Sequence, residues 1–205
     1  MRGTALTLVL TSSLALAVPA AAQHVSFSPV IGFYIPTEQL SQIVTGKTGD
    51  DFKLEAGPSF GARLGLWFGS RFGVEVGGSY VQTTFQLTGN TEGNIEKKNA
   101  KIFLGSAQAV VFLLPRTSFF NLYLSGGLGL VSRAGNAFAG EPKTRNVGGT
   151  FGAGAGLRLL GIMLTAGADL MTYNASYVGS TNTTKELKQK DVAIKLGFGF
   201  PLGGR

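Results

Sequence analysis

The feature of this chain that most restricts its fold is a two-residue alternation of apolar with small or polar side chains along residues 25–202. Successive side chains of a β-strand point to opposite faces, so this alternation marks strands with one apolar face. In the run 58–68, Phe60 and Leu64 fall on one face and Arg63 falls on the other. Eight such runs begin near residues 25, 58, 72, 100, 120, 150, 162 and 192. The pattern predicts an all-β protein.

The connections between these runs are alternately long and short. Short turns are predicted at Gly69-Ser70, 115–118 and Leu160-Gly161, and long connections at 37–56, 88–99, 133–147 and 175–190. Strands joined in this order are antiparallel neighbours, and an even number of strands brings both chain ends to the short-turn side. Barrels of the bacterial outer membrane have this asymmetry, with short periplasmic turns and long external loops.

The first residues have the pattern of an export signal. A basic start at Arg2 precedes an apolar stretch from Ala5 to Val18, and Ala20-Ala21-Ala22 supplies a small-residue cleavage pattern. A secretory signal peptide is built in this way, and the apolar stretch is shorter than the roughly 20 residues of a membrane-spanning helix. Residues 1–22 are therefore predicted to be removed, which leaves residues 23–205 as one domain.

Composition narrows the possible compartments and partners. The chain has no cysteine, so an exported protein of this kind carries no disulfide and no thiol chemistry. After the signal, no apolar run approaches the length of a spanning helix, which leaves a soluble exported domain or a membrane barrel. The formal charge is +7, but the basic residues are scattered and export argues against a nucleic-acid partner.

Aromatic side chains gather near both ends of the predicted strands. Those near the short turns are Trp67, Phe68, Phe72, Phe112, Phe119, Phe120, Phe198 and Phe200, and those near the long loops are Phe60, Tyr80, Phe85, Phe151, Tyr173 and Tyr177. Two aromatic girdles around an apolar band mark the two interfaces of a membrane. The sequence therefore predicts an eight-stranded antiparallel up-and-down transmembrane β-barrel.

The C-terminal strand carries a pattern of its own. Residues 195–202 follow the order polar, any, Gly, any, any, apolar, any, apolar, with Lys195, Gly197, Phe200 and Leu202 at the specified positions. In this stretch, the eight runs and the loop alternation, the mature chain resembles small OmpA/OmpX-like outer-membrane β-barrels. The resemblance implies that the barrel-assembly machinery reads this strand, and that the protein lies in the bacterial outer membrane with both termini periplasmic.

Five charged residues fall on the inward face of the predicted strands. Three are basic and two are acidic, namely Arg63, Arg158, Lys195, Glu75 and Asp169. An eight-stranded barrel has an interior that side chains just fill, and a charge held away from water needs a partner. We expect a paired network in which Glu75 and Asp169 each meet a basic residue. The network would act as a polar plug, or, in a second interpretation, as a gated ion path.

Motifs for catalysis or cofactor binding are incomplete. Gly46-Lys47-Thr48 lacks the earlier glycine of a phosphate-binding loop, because residue 41 is Ser41. The single histidine, His24, precedes the first strand, so a Ser-His pair or a histidine metal cluster is not expected. No catalytic residue, cofactor or metal site is predicted.

The charged residues of the long connections suggest one specific contact. Lys97, Lys98, Arg145 and Lys188 lie in or beside these connections. Basic side chains at a membrane surface attract anionic headgroups, so these residues are candidates for binding the phosphates of outer-leaflet glycolipid.

These observations favour a non-enzymatic outer-membrane barrel with a structural or surface-interaction role towards glycolipid, host or cell surfaces. One alternative is a small pore or transporter through the polar lumen. Another is a soluble lipocalin-like carrier, which would turn Leu64, Val74, Leu124 and Ile194 inward. A monomer is expected, although the small side chains of Ala153, Ala155, Ala166 and Ala168 form a lipid-facing patch on which two barrels could pack.

Overall fold

The alternating runs form antiparallel strands in the computed structural model, which describes residues 23–37, 51–88, 95–135, 145–178 and 184–202. The strands are β1 (Gln23–Pro36), β2 (Asp51–Leu54), β3 (Gly57–Phe68), β4 (Phe72–Thr88), β5 (Ile95–Phe112), β6 (Phe120–Ala134), β7 (Arg145–Leu159), β8 (Ile162–Val178) and β9 (Thr184–Leu202). The predicted export signal lies outside these ranges. Within them, no helix is long and apolar enough to cross a membrane.

The sheet closes on itself through its first and last strands. From β3 onward each strand pairs with its chain neighbours, and β1 lies between β3 and β9. The β1–β9 register runs from Val25 opposite Leu202 to Pro36 opposite Asp191. Since β2 only prolongs the line of β3, the wall has eight strands, and the predicted closed antiparallel barrel is confirmed.

The first long connection contains a strand that the sequence pattern did not predict. β2 lies within 37–56 and pairs with the far end of β4, where Leu54 lies opposite Phe85. The residues between β2 and β3 still bond to β4, since the Glu55 N–H donates to the Thr84 carbonyl at 3.0 Å. β1 pairs with β3 only as far as Tyr34, so Pro36 has β9 as its neighbour but not β2.

Strands on the long-loop side extend further than their apolar alternation. β4 continues to Thr88 and β5 begins at Ile95, so half of the predicted connection 88–99 lies in strands. β9 has 19 residues, whereas a membrane-spanning strand needs about 9–11. Backbone pairing continues beyond the apolar band, where outward side chains become polar while many inward ones are apolar, so the alternation fades.

The short turns agree with the predicted positions. β7 and β8 are joined by Leu160 and Gly161, which both have positive φ, at 50° and 86°. Two positive φ values are typical of the tight hairpin turn that matches the twist of its strands. All three short turns lie at one end of the barrel, together with the start of β1 at Gln23 and the end of β9 at Leu202. This end is called here the short-turn end, and the opposite end is called the long-loop end.

Apolar side chains cover the outside of the wall. Leu64, Val74, Leu124 and Ile194 are 52, 42, 50 and 48% exposed. A lipocalin-like carrier would bury these side chains, so that alternative is wrong. Three of the predicted girdle aromatics point inward instead. Trp67 and Phe112 are buried in the barrel near the short turns, and Tyr173 is buried near the long loops.

Candidate functional site

The middle of the lumen contains two ion pairs, each between neighbouring strands. Arg63 on β3 binds Glu75 on β4 at 3.1 Å and reaches across the barrel to the Thr165 hydroxyl at 3.0 Å. Lys195 on β9 binds Asp169 on β8 at 2.7 Å. Each acid therefore contacts a base, as a charge held away from water requires.

Inward glycines make room for these polar side chains. A Cβ on Gly152 would overlap both the Asp169 carboxylate and the Ser125 hydroxyl. Gln108 donates to the Thr150 hydroxyl at 3.0 Å in the same layer. A small cavity of about 30 Å³ remains between these groups and the aromatic rings nearer the short turns, which has room for about one water molecule. The layer therefore fills the barrel at this level.

Arg158 does not belong to this layer, which corrects the predicted five-residue network. It lies at the end of β7, opposite the inward Met163 of β8, but it is exposed and has no acidic partner among the described residues. The alternation along β7 correctly predicted that Arg158 lies on the inward face of the strand. It did not show that Arg158 lies at the mouth of the barrel rather than inside it.

The long-loop end of the lumen is closed mainly by apolar side chains. The buried cluster there comprises Tyr34, Leu54, Val81, Ala100, Ile102, Leu104, Val131, Met171, Tyr173, Ala175 and Ala193. Within it, Arg133 donates to the Tyr173 hydroxyl, which donates to Asp191 at 2.5 Å. Arg133 falls at the start of the predicted connection 133–147, and Asp191 directly follows the predicted connection 175–190, so neither was assigned to the lumen. Continued alternation along β6 and β9 was the available signal.

The short-turn end of the lumen is packed with aromatic rings. Phe112 lies between Trp67 and Tyr123, with ring centroids 5.4 and 5.8 Å away. Trp67 donates through its indole N–H to the Ser26 hydroxyl at 2.7 Å. A Cβ on Gly73 would overlap the indole, so this glycine of β4 provides the space in which the ring lies.

Below this aromatic layer the barrel opens into a cavity of about 340 Å³, called here the mouth cavity. Its lining residues are His24, Val25, Gly69, Arg116, Thr117, Arg158, Gly161, Met163, Gly199 and Pro201. The Arg116 guanidinium lies over the Trp67 ring, 4.6 Å from the ring centroid. Burial, and secondarily the Arg158 charge, lower the pKa of Arg116 to about 10, so it stays cationic at neutral pH.

The other predicted sites are placed as follows. Arg145 and Lys188 are exposed on β7 and β9 near the long-loop end. Lys97 and Lys98 lie in β5, and their side chains are outside the described part. In the C-terminal pattern Lys195 and Gly197 are buried, while Phe200 and Leu202 are 40 and 47% exposed on the outer wall.

Comparison with known proteins places this barrel among outer-membrane proteins. The structure is similar to OprG from Pseudomonas aeruginosa, with a TM-score of 0.66 at 17% identity over 89% of this chain and 97% of that one. Neisserial surface protein A gives a TM-score of 0.54 at 12% identity, with 88 and 97% of the two chains covered. Outer membrane protein W of E. coli gives 0.50 at 14% identity, with 87 and 98% covered.

These identities show a shared fold and no more. Among curated protein sequences, no match is found. The family model described as the outer membrane protein beta-barrel domain matches residues 7–200, which is nearly the whole chain. The chain therefore belongs to the outer membrane protein β-barrel family of the bacterial outer membrane.

Proposed function

We propose that this protein is a closed, non-enzymatic barrel that works through its long-loop end, where outward-facing cations bind the phosphates of outer-leaflet glycolipid. The proposal is supported by an arrangement of exposed cations that recurs on β5, β7 and β9. Lys101, Arg145 and Lys190 are exposed, and each is followed two residues later on the same face by an apolar residue.

Two of these apolar residues, Phe103 and Val147, are 47 and 68% exposed. A cation directly above an exposed apolar side chain sits where hydrocarbon gives way to headgroups. Guanidinium and ammonium groups at that level attract phosphate by charge and by hydrogen bonding. The exposed Glu186 on β9 is an acid near the same rim, so the attraction depends on the local excess of cations.

In this orientation the long loops face outward and both termini are periplasmic. The filled lumen supports a role at the surface rather than a passage through the barrel, since ion pairs occupy its middle and buried side chains occupy both ends. The lumen hydroxyls of Ser26, Thr150 and Thr165 accept hydrogen bonds from structural donors, which favours packing over catalysis.

Retention of glycolipid tests the proposal. A variant with Lys101, Arg145, Lys188 and Lys190 each changed to Gln should retain far less glycolipid after detergent extraction, with a loss of about fivefold in affinity per cation. Arg71→Gln, an exposed arginine at the opposite end, is the matched control and should retain it fully. Equal retention by the quadruple variant, or equal retention of glycolipid stripped of phosphate, would refute the proposal.

Conductance separates this function from the small-pore alternative. The unaltered protein in a planar bilayer should give no steady current, because the polar layer leaves space for only about one water molecule. A steady current that changes on replacement of Glu75 would instead favour a gated ion path through the Arg63–Glu75 pair.

A further inference from the structure

The mouth cavity differs from the rest of the interior in the balance of its charges. Two arginines, Arg116 and Arg158, contribute to its lining, and no carboxylate does so among the described residues. The nearby acids Glu75 and Asp169 are held by Arg63 and Lys195 higher in the lumen. The cavity therefore presents positive charge that the described part of the protein leaves uncompensated.

The backbone holds both arginines in place. The Arg116 N–H donates to the Ser70 carbonyl at 2.8 Å, which ties the β5–β6 turn to the β3–β4 turn. The Arg158 N–H donates to the Phe119 carbonyl at 2.8 Å. The two side chains therefore start from fixed points on the rim, so a ligand between them would not have to order the chain first.

The aromatic layer fixes one of the two guanidinium groups as well. Arg116 lies against the face of Trp67. The Trp67 ring is fixed by its hydrogen bond to Ser26 and occupies the space that the missing side chain of Gly73 leaves free. An arginine stacked on an aromatic ring keeps its N–H groups directed away from that ring. Arg116 also lines the small cavity of the polar layer, so it stands at the boundary between lumen and mouth.

We propose that Arg116 and Arg158 form a binding site for a phosphate group in the mouth cavity. Planar guanidinium forks match phosphate oxygens and bind them through paired, charge-assisted hydrogen bonds. The cavity volume of about 340 Å³ falls in the range of small-ligand pockets. The phosphate belongs either to an anionic lipid headgroup reaching over the rim or to a small soluble phosphate compound.

Trp67 provides the means to test this site. It is the single tryptophan of the chain and lies in contact with Arg116. Inorganic phosphate added to the full protein in phosphatidylcholine nanodiscs, with chloride adjusted to keep ionic strength constant, should change its emission saturably. Phosphorus NMR line broadening of the same samples gives a second readout that does not depend on the indole.

Matched variants separate the site from general charge effects. Arg158→Gln leaves the fluorophore and its stacking partner in place, and it should weaken phosphate binding about 10-fold or more. Arg116→Lys keeps the charge but loses the fork, and it should also weaken binding. Arg71→Gln should bind as the unaltered protein does, since the Arg71 guanidinium donates to the Leu113 carbonyl and does not line the cavity.

The absence of a saturable change in both readouts would overturn the proposal, and so would an Arg158→Gln variant that titrates like the unaltered protein. Nanodiscs containing phosphatidylglycerol identify the source of the phosphate. If headgroups occupy the site, the phosphate titration shifts to higher concentration in these discs and does not shift when Arg158 is replaced. If the ligand is a soluble phosphate, both kinds of disc give the same curve.

Discussion

The two ends of the lumen each contain an arginine beside an aromatic ring, but the two arginines are held differently. At the long-loop end Arg133 is 6% exposed and is linked through the Tyr173 hydroxyl to Asp191, which is 3% exposed. At the short-turn end Arg116 stacks on Trp67 and faces a cavity shared with a second arginine. An arginine whose charge an acid neutralises fastens strands together, whereas an arginine such as Arg116, which stacks on a ring and meets no acid among the described residues, can bind a ligand.

Removing the acid at the long-loop end should have the largest effect. Asp191→Asn keeps the size of the side chain but leaves the buried Arg133 without that negative charge. We expect the free energy of unfolding to fall by about 3 kcal/mol, because removing the acid from a buried network of charges and hydrogen bonds costs nearly as much as breaking a buried ion pair. Urea unfolding of the protein in lipid vesicles measures this. A loss below about 1 kcal/mol would show that Asp191 contributes little to neutralising the Arg133 charge.

The polar layer in the middle should behave like the long-loop end. Glu75→Gln alone should lower the unfolding free energy by about 3 kcal/mol, because Arg63 then loses its charge partner. The double variant Glu75→Gln, Arg63→Met should lose less than the sum of the two single changes. Additive losses in the same urea assay would mean that the two residues are energetically independent.

The aromatic support at the short-turn end can be disturbed without touching a charge. Gly73→Ala places a methyl group in the space of the Trp67 indole, which should cost about 1–3 kcal/mol and shift the tryptophan emission. Gly149→Ala is the matched control, because its Cβ would meet Phe151 and Thr172 only at ordinary contact distances of 3.5 Å or more. Emission unchanged by Gly73→Ala would contradict the described position of the ring.

The smallest change in stability is expected for Arg158→Gln. Arg158 is exposed and has no acid to leave behind among the described residues, so the unfolding free energy should change by less than about 0.5 kcal/mol. A loss as large as that of Asp191→Asn would mean that the two ends of the lumen are built alike and that the comparison fails.

Alternation predicted the wall well because lipid gives a strong contrast between the two faces of a strand. The inward face of Arg63 and the outward faces of Leu64 and Ile194 follow from parity alone. Alternation shows which face of a strand a side chain occupies, but it does not show how far along the barrel axis the side chain lies. Arg158 was therefore assigned to the interior although it lies at the mouth of the barrel.

The other features that the sequence did not predict have related physical causes. Near the long-loop end water replaces lipid outside the barrel, so outward side chains become polar and the inward Arg133 and Asp191 no longer stand out. Trp67 and Phe112 were placed in a girdle by their level along the strand, yet a ring at that level can face either lipid or lumen. The mouth cavity depends on how the three short turns meet, which spacing along the sequence does not encode.

The pairing of β1 with β9 has a consequence for how the chain reaches the membrane. Val25 and Leu202 become neighbours only when nearly all of the chain from residue 25 onward is available. Until then β1 and β8 each have an unpaired edge, and neither edge is tolerated in lipid. Synthesis and export must therefore finish before the barrel can close, and a chain cut short before β9 would reach the membrane as an open sheet whose free edges invite aggregation.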